Sequence, residues 1–320
     1  MTTAEPLKIS LVKAVMLMIV CIHTLFFYLY LSSNLGNLGL GDLGIYQIQF
    51  ANIIKYNGLQ NNTDPGFYYL MMFYTKYLSF ELFVTSCFFV FYLSLIRPFY
   101  HLSEAKLLVV LLFIVMIYYP MYQSLSSLVL RQGMGFAFLM FSGFYFNSHR
   151  FLMSTLKICL AALFHLSLLF YVPVLVVNRM ISSLKLLVFF WCGIVMLYVL
   201  EVPNAFVELL PGDLSSMVRA FNMVNDDYVV GFKPLFLLLS VIPFFLMLLR
   251  PYYYYVAADK QMFEILKIFF VANGAGLLCS GFPYYDRVML FSWVLVPLIF
   301  VNFCGFLYSK LHQPGKVVVS

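Results

Sequence analysis

Two ionisable side chains stand in apolar sequence: Arg131, in Leu130-Arg131-Gln132-Gly133-Met134-Gly135-Phe136-Ala137, and His165, in Phe164-His165-Leu166-Ser167. An ionisable group inside a membrane segment is costly, so it marks a functional site by default. A guanidinium offers a fixed fork of donors that never deprotonates, which suits a phosphate or diphosphate. An imidazole can take or give a proton near neutral pH. The plainer readings are that Arg131 reaches to a headgroup and that His165 bonds a backbone carbonyl. Asp42, Asp64, Asp286 and Arg287 join the candidate set, because carboxylates beside a histidine can supply a general base. Against this, Asp64-Pro65-Gly66 also reads as turn chemistry. Asp286-Arg287 reads equally as an ion pair at a helix start. The sequence has no HxxxH zinc pattern, Walker loop or GxSxG. It also lacks DxD, which argues against a metal-bound nucleotide sugar as donor.

Composition fixes the surroundings of these residues. Of 320 residues, 63% are hydrophobic and 10% charged, and the mean hydropathy is +0.94. Soluble domains carry about 25% charged residues. The chain therefore reads as an all-α polytopic integral membrane protein, a single transmembrane domain over 1–320 with about 9–10 membrane segments. The six cysteines lie in apolar segments without a CxxC pair, which suggests neither a disulfide framework nor a metal site. The net charge of +6 matches cationic inner loops, not nucleic-acid binding.

The first span follows Lys8 and Lys13 and runs to Leu31, too long for a signal-peptide core. External loops are expected at about 32–66 and 201–231. Phe67–Tyr77 reads as a short amphipathic or re-entrant helix. Spans follow at Glu81–Ile96, Leu107–Tyr119 and about Leu128–Phe146, with a brief external turn at Tyr122–Ser127. Later spans are Leu184–Leu200, Phe232–Leu249, Phe263–Gly281 and Val288–Leu307.

Phe151 to Asn178 is either one span or two half-spans meeting near His165. As one span it leaves no bias in Lys and Arg placement. As two half-spans it puts 13 cations inside, and only Lys55, Lys76, Arg131, Arg219, Lys233 and Arg287 outside, as cationic inner loops require. Half-spans are tolerated where other helices bury them or where they line a cavity. This choice places His165 at a re-entrant tip. Asp42, Asp64, Arg131, His165, Asp286 and Arg287 then share the outer boundary.

These motifs resemble the EpsG/Wzy-type polysaccharide polymerases. The resemblance is carried by Asp42-Leu43-Gly44-Ile45-Tyr46, Asp64-Pro65-Gly66-Phe67, Arg131-Gln132-Gly133-Met134-Gly135, Phe164-His165-Leu166-Ser167 and Tyr284-Tyr285-Asp286-Arg287, over roughly residues 35 to 300. Gly135 departs from the alanine common in that helix. The resemblance implies a GT-C-like glycosyltransferase architecture and a polymerase of O-antigen, capsule or exopolysaccharide. It implies a glycan donor on undecaprenyl diphosphate, used at the periplasmic face of the bacterial inner membrane with no cofactor or metal. Catalysis would fall to His165, Asp64 or Asp286, and diphosphate binding to Arg131 and Arg287. Asp42, Tyr46, Gln132 and Tyr285 would contact the acceptor. A chain-length regulator of the same pathway would be a partner.

Two rivals come from other classes. A lipid-linked oligosaccharide flippase favours internal repeats and midplane sites, and no repeat is present. A membrane O-acyltransferase needs an acyl donor from the cytoplasm, whereas His165 faces outward in the favoured topology. That topology predicts that both termini are cytoplasmic and that a cysteine placed at Ser215 in intact cells reacts with an impermeant reagent. Labelling only after lysis would overturn the half-span arrangement.

Overall fold

The computed structural model describes residues 4–34, 42–56, 64–102, 105–146, 150–209, 230–282 and 284–312. The described residues are helical, with no strand among them, as a chain that must pair its backbone groups within itself in lipid requires. Most of the expected 201–231 loop, the segments 35–41 and 57–63, and Lys316 lie outside the described residues. Four helices are long and apolar enough to cross a membrane: Leu11–Asn34, Phe80–His101, Lys260–Gly281 and Tyr285–His312. Two bent pairs, Lys106–Ile117 with Pro120–Leu128 (63°) and Pro234–Leu248 with Arg250–Ala258 (90°), bring the number to six if each is one span. Phe151–Ala162, Leu166–Met180 and Leu184–Val199 are apolar but shorter. The described helices thus supply four to six full crossings, against the 9–10 segments expected. Several apolar runs that look like spans are helical over too few residues.

The chain divides into two compact units, 1–170 with 307–314, and 171–306 with 315–320. In the first, α1 (Ala4–Asn34) packs on α4 (Phe80–His101), with Phe27 stacked on Phe88 at 4.0 Å and 7°. Ser79 caps α4 by accepting from the Leu82 N–H. Between them lie α2 (Asp42–Tyr56) and α3 (Pro65–Tyr77). The expected loop at 32–66 therefore contains a helix. Leu43, Tyr46, Phe50 and Ile53 recur at helical spacing and are all buried, a periodicity that the surrounding Gly and Asn residues mask. These side chains join Leu31, Phe67, Tyr68, Met71, Phe80, Phe83 and Leu130 in one apolar core. Burying each large side chain there contributes about 1.5–3 kcal/mol.

Next come α5 (Lys106–Ile117) and α6 (Pro120–Gln123), then a wide π turn, Ser124–Leu128, closed by the Val129 N–H on the Ser124 carbonyl at 2.8 Å. The external turn expected at Tyr122–Ser127 is thus helical, started by Pro120 at a first-turn position where its missing N–H costs nothing. Then α7 (Leu130–Phe141) has 12 residues, against the 128–146 span expected. The first of its two glycines, Gly133, lies so close to the preceding turn that an added Cβ would collide with the Leu125 carbonyl oxygen. The first unit closes with α8 (Phe151–Ala162) and a 3-10 turn, Leu166–Phe170. The helix is interrupted at Leu163–His165, where the half-span reading places its tip.

The second unit runs through α9 (Tyr171–Met180), α10 (Leu184–Val199), α11 (Val202–Glu208), α12 (Pro234–Leu248), α13 (Arg250–Ala258), α14 (Lys260–Leu278), α15 (Tyr285–Trp293) and α16 (Val296–His312), the last passing into the first unit at Leu307. The span expected over Phe232–Leu249 ends in the 90° bend before Arg250. A fully buried polar network ties this unit. Asn273 Oδ1 accepts from Trp191 Nε1 (2.8 Å), and its amide donates to the Ser240 and Ser292 hydroxyls (2.9 Å each). Such groups persist in apolar surroundings because they satisfy one another.

Gly133→Ala is expected to destabilise the protein by about 1–3 kcal/mol through overpacking against backbone. Gly193→Ala, with open space around its Cβ, is expected to be neutral or slightly stabilising. Thermal denaturation of the two purified variants against wild type checks this.

Candidate functional site

Four separated stretches of the first unit converge on one carboxylate. Asp64 precedes α3, with Pro65 at a first-turn position of that helix, yet its side chain does not cap α3. It points elsewhere. Its Oδ2 accepts from Arg131 Nη1 at 3.0 Å and faces His165 Nδ1 at 3.3 Å. Its Oδ1 accepts from the Leu166 N–H at 2.9 Å. The side chain is only 2% exposed, against 25% for Arg131 and 20% for His165. Tyr46, buried on α2, completes the set. Its hydroxyl accepts from Arg131 Nε at 3.4 Å, and its ring lies 5.5 Å from the guanidinium carbon.

The backbone explains why Asp64 is held there. Where the helix breaks at Leu163–His165, peptide groups lose their helical partners. The Gly66 N–H donates to the Leu163 carbonyl at 2.7 Å, and Asp64 takes the Leu166 N–H. Asp64-Pro65-Gly66 therefore caps the broken helix as well as starting its own. An added Cβ on Gly66 would lie 2.9 Å from the Leu163 oxygen, so this approach requires glycine. The backbone at the break is satisfied by Asp64 and Gly66, not by the His165 ring.

Burial alone would raise the Asp64 carboxyl. The hydrogen bonds from His165 and the Leu166 N–H, with the charges of His165 and Arg131, outweigh it and hold the group below the usual carboxylate value. Tyr46 moves the opposite way: burial raises its hydroxyl, and Arg131 only partly offsets that. An ionised carboxylate can only accept, so His165 Nδ1–H is its donor; whenever the ring is neutral, Nε2 is then the acceptor.

The sequence candidates Asp64, Arg131, His165 and Tyr46 are thus brought together. Gln132, next to Arg131, is buried. Asp42 stands one helical turn before Tyr46, close enough for its charge to act on the Tyr46 hydroxyl. Sequence reasoning did not find the Leu166 N–H or the Gly66–Leu163 bond as parts of the site. The adjacent Asp-Pro-Gly and Phe-His stretches were the available signal.

Tyr285, Asp286 and Arg287 form a cluster of their own in the second unit. The Tyr285 hydroxyl donates to the Gly231 carbonyl at 2.6 Å and meets the Tyr198 hydroxyl at 3.3 Å. Tyr285 is 1% exposed, so its hydroxyl is committed to packing. Lys233 lies over its ring at 5.2 Å. Burial lowers the Lys233 ammonium and the charge of Asp286 opposes that. Tyr284 adopts a left-handed conformation (φ 60°), and its ring lies 4.9 Å from the Arg287 guanidinium carbon.

Apolar crossing helices and a buried carboxylate holding an arginine and a histidine define a polytopic helical membrane protein with a polar site at a helix break. The model of the EpsG family matches residues 17–313, and the chain belongs to that family. Membership supports a polysaccharide-polymerase role. No curated protein and no solved structure matches the chain.

Because the Asp64 value is lowered on folding, its stabilisation is complete above the unfolded value of about 4 and is lost as pH falls below it through the folded value. Asp64→Asn is therefore expected to lower the melting temperature at pH 7, with the gap to wild type narrowing as pH drops below about 4. Melting curves of both proteins across that range check the sign.

Proposed function

We propose that the protein is a polysaccharide polymerase that transfers a glycan from undecaprenyl diphosphate to an acceptor repeat unit at the periplasmic face of the inner membrane. The observation that carries this reading is the Arg131–Asp64–His165 constellation at a helix break, within a chain of the EpsG family. Asp64 fixes the imidazole through Nδ1 and leaves Nε2 to take the proton of an acceptor hydroxyl. That oxygen attacks the anomeric carbon of the donor sugar. The bond from carbon to phosphate oxygen breaks, and the lipid diphosphate leaves with the electron pair. Arg131, held by Asp64 and Tyr46, meets the negative charge growing on the leaving group. Asp64 itself is a poor base: it is buried, accepts three hydrogen bonds and binds its proton weakly. Its role is to position the other two.

Carbohydrate from a deletion strain complemented with variants tests this. A polymerase defect leaves single repeat units on the acceptor, whereas a flippase defect leaves none. His165→Gln keeps hydrogen bonding but cannot carry a proton at neutral pH, so it is expected to insert normally and yield single units only. Arg131→Lys keeps the charge but loses the fork and is expected to reduce polymer by about tenfold or more, the loss of roughly 1.4 kcal/mol of transition-state binding. Long polymer from both variants at normal protein level would reject the assignment.

A further inference from the structure

In the first unit a cavity of about 490 Å³ is walled by α1, α2, α6 and the π turn before α7, within the range of pockets that hold small ligands. Its polar wall is Asn34, Asp42, Gln123, Ser124 and Ser127, with Tyr30 at the rim. None of its described lining residues is Lys or Arg, and one is a carboxylate. That charge repels phosphate. Amides, hydroxyls and one carboxylate beside aromatic rings match a neutral polyol: the carboxylate and amides pair with neighbouring hydroxyls, and a ring covers the apolar C–H face of a sugar.

The elements around the cavity are shared with the Asp64 site. Asp42 lies one turn before Tyr46, whose hydroxyl accepts from Arg131. Ser124 and Ser127 sit on the wide π turn that leads through Val129 into the helix carrying Arg131. Such turns occur often at functional sites because they displace side chains from the regular helical register. Leu31 and Leu43, also in the wall, belong to the apolar core that holds Phe67 and Leu130.

We propose that this cavity is the acceptor subsite. It binds the uncharged sugar residues of the incoming repeat unit through Asp42 and Gln123 and presents a hydroxyl towards the charged site. The inference rests on the polymerase reading and separates the two substrates by charge, with diphosphate at the arginine and neutral glycan in the cation-free cavity.

The test uses the full-length protein in detergent and, as probe, the free repeat-unit oligosaccharide released from host glycan by mild acid. Saturation-transfer NMR measures binding, and membranes supplied with lipid-linked donor measure polymerisation. Gln123→Ala and Asp42→Asn are each expected to weaken oligosaccharide binding about tenfold and to raise the acceptor KM in proportion, with kcat changed less than twofold. Gln123→Glu, which keeps an acceptor oxygen at the same reach, is expected to restore part of the binding and guards against a folding defect. Wild-type binding that neither variant weakens would overturn the subsite and leave the polymerase reading standing. Binding weakened by both variants, in a protein that makes no polymer, would retain the sugar site and overturn the polymerase reading.

Discussion

Burying a carboxylate in apolar surroundings costs several kcal/mol unless every lone pair is used, and much of the first unit is arranged around that requirement at Asp64. Its three partners come from α7, from the His165 ring and from the peptide of Leu166. Removing any of them leaves a buried charge under-satisfied. The same carboxylate therefore holds a guanidinium, orients an imidazole and closes a broken helix. Structure and chemistry are joined in one side chain, which is why its loss would affect both.

The break itself is a backbone problem solved by tertiary contact. Interrupting a helix frees peptide groups that must find other partners wherever water cannot reach them. Here the start of α3 approaches the break closely enough for Gly66 and Asp64 to replace the lost partners. The approach is possible because α2 and α3 are anchored on α4 by Tyr46, Phe67 and Phe83, with ring centroids 5.4–5.5 Å apart. An apolar core that joins α2 and α3 to the crossing helices α1 and α4 thus fixes where the polar site can stand.

The second unit uses polarity differently. Asn273, Ser240, Ser292 and both tryptophans satisfy one another with all groups buried, which makes the network a fastening between helices. The cluster of Tyr198, Lys233, Tyr285 and Gly231 likewise commits its hydroxyls to backbone. In the Tyr-rich stretch the Tyr285 hydroxyl is given to backbone, and Asp286 and Arg287 beside it are half-buried.

Hydropathy, the family motifs and the rarity of charge were enough to read the helical membrane class, the EpsG family and the pairing of Arg131 with His165 as candidates, because each is a property of residue type and local spacing. The structure interrupts the helix between Ala162 and Leu166, within the stretch that the Lys and Arg distribution had divided in two. The α2 helix was hidden, because its period of buried residues lies among Gly and Asn that signal a loop, and the spans expected at 128–146 and 232–249 are longer than the helices found there, Leu130–Phe141 and Pro234–Leu248. What only the tertiary structure decided is the task of Asp64. Sequence places it at a turn before a helix, where a carboxylate ordinarily caps its own N-terminus. Its partners lie 67, 101 and 102 residues away along the chain, and no local pattern encodes a contact between segments that distant. Packing of α3 against the broken helix brings them within hydrogen-bond reach, and burial then obliges the charge to take them.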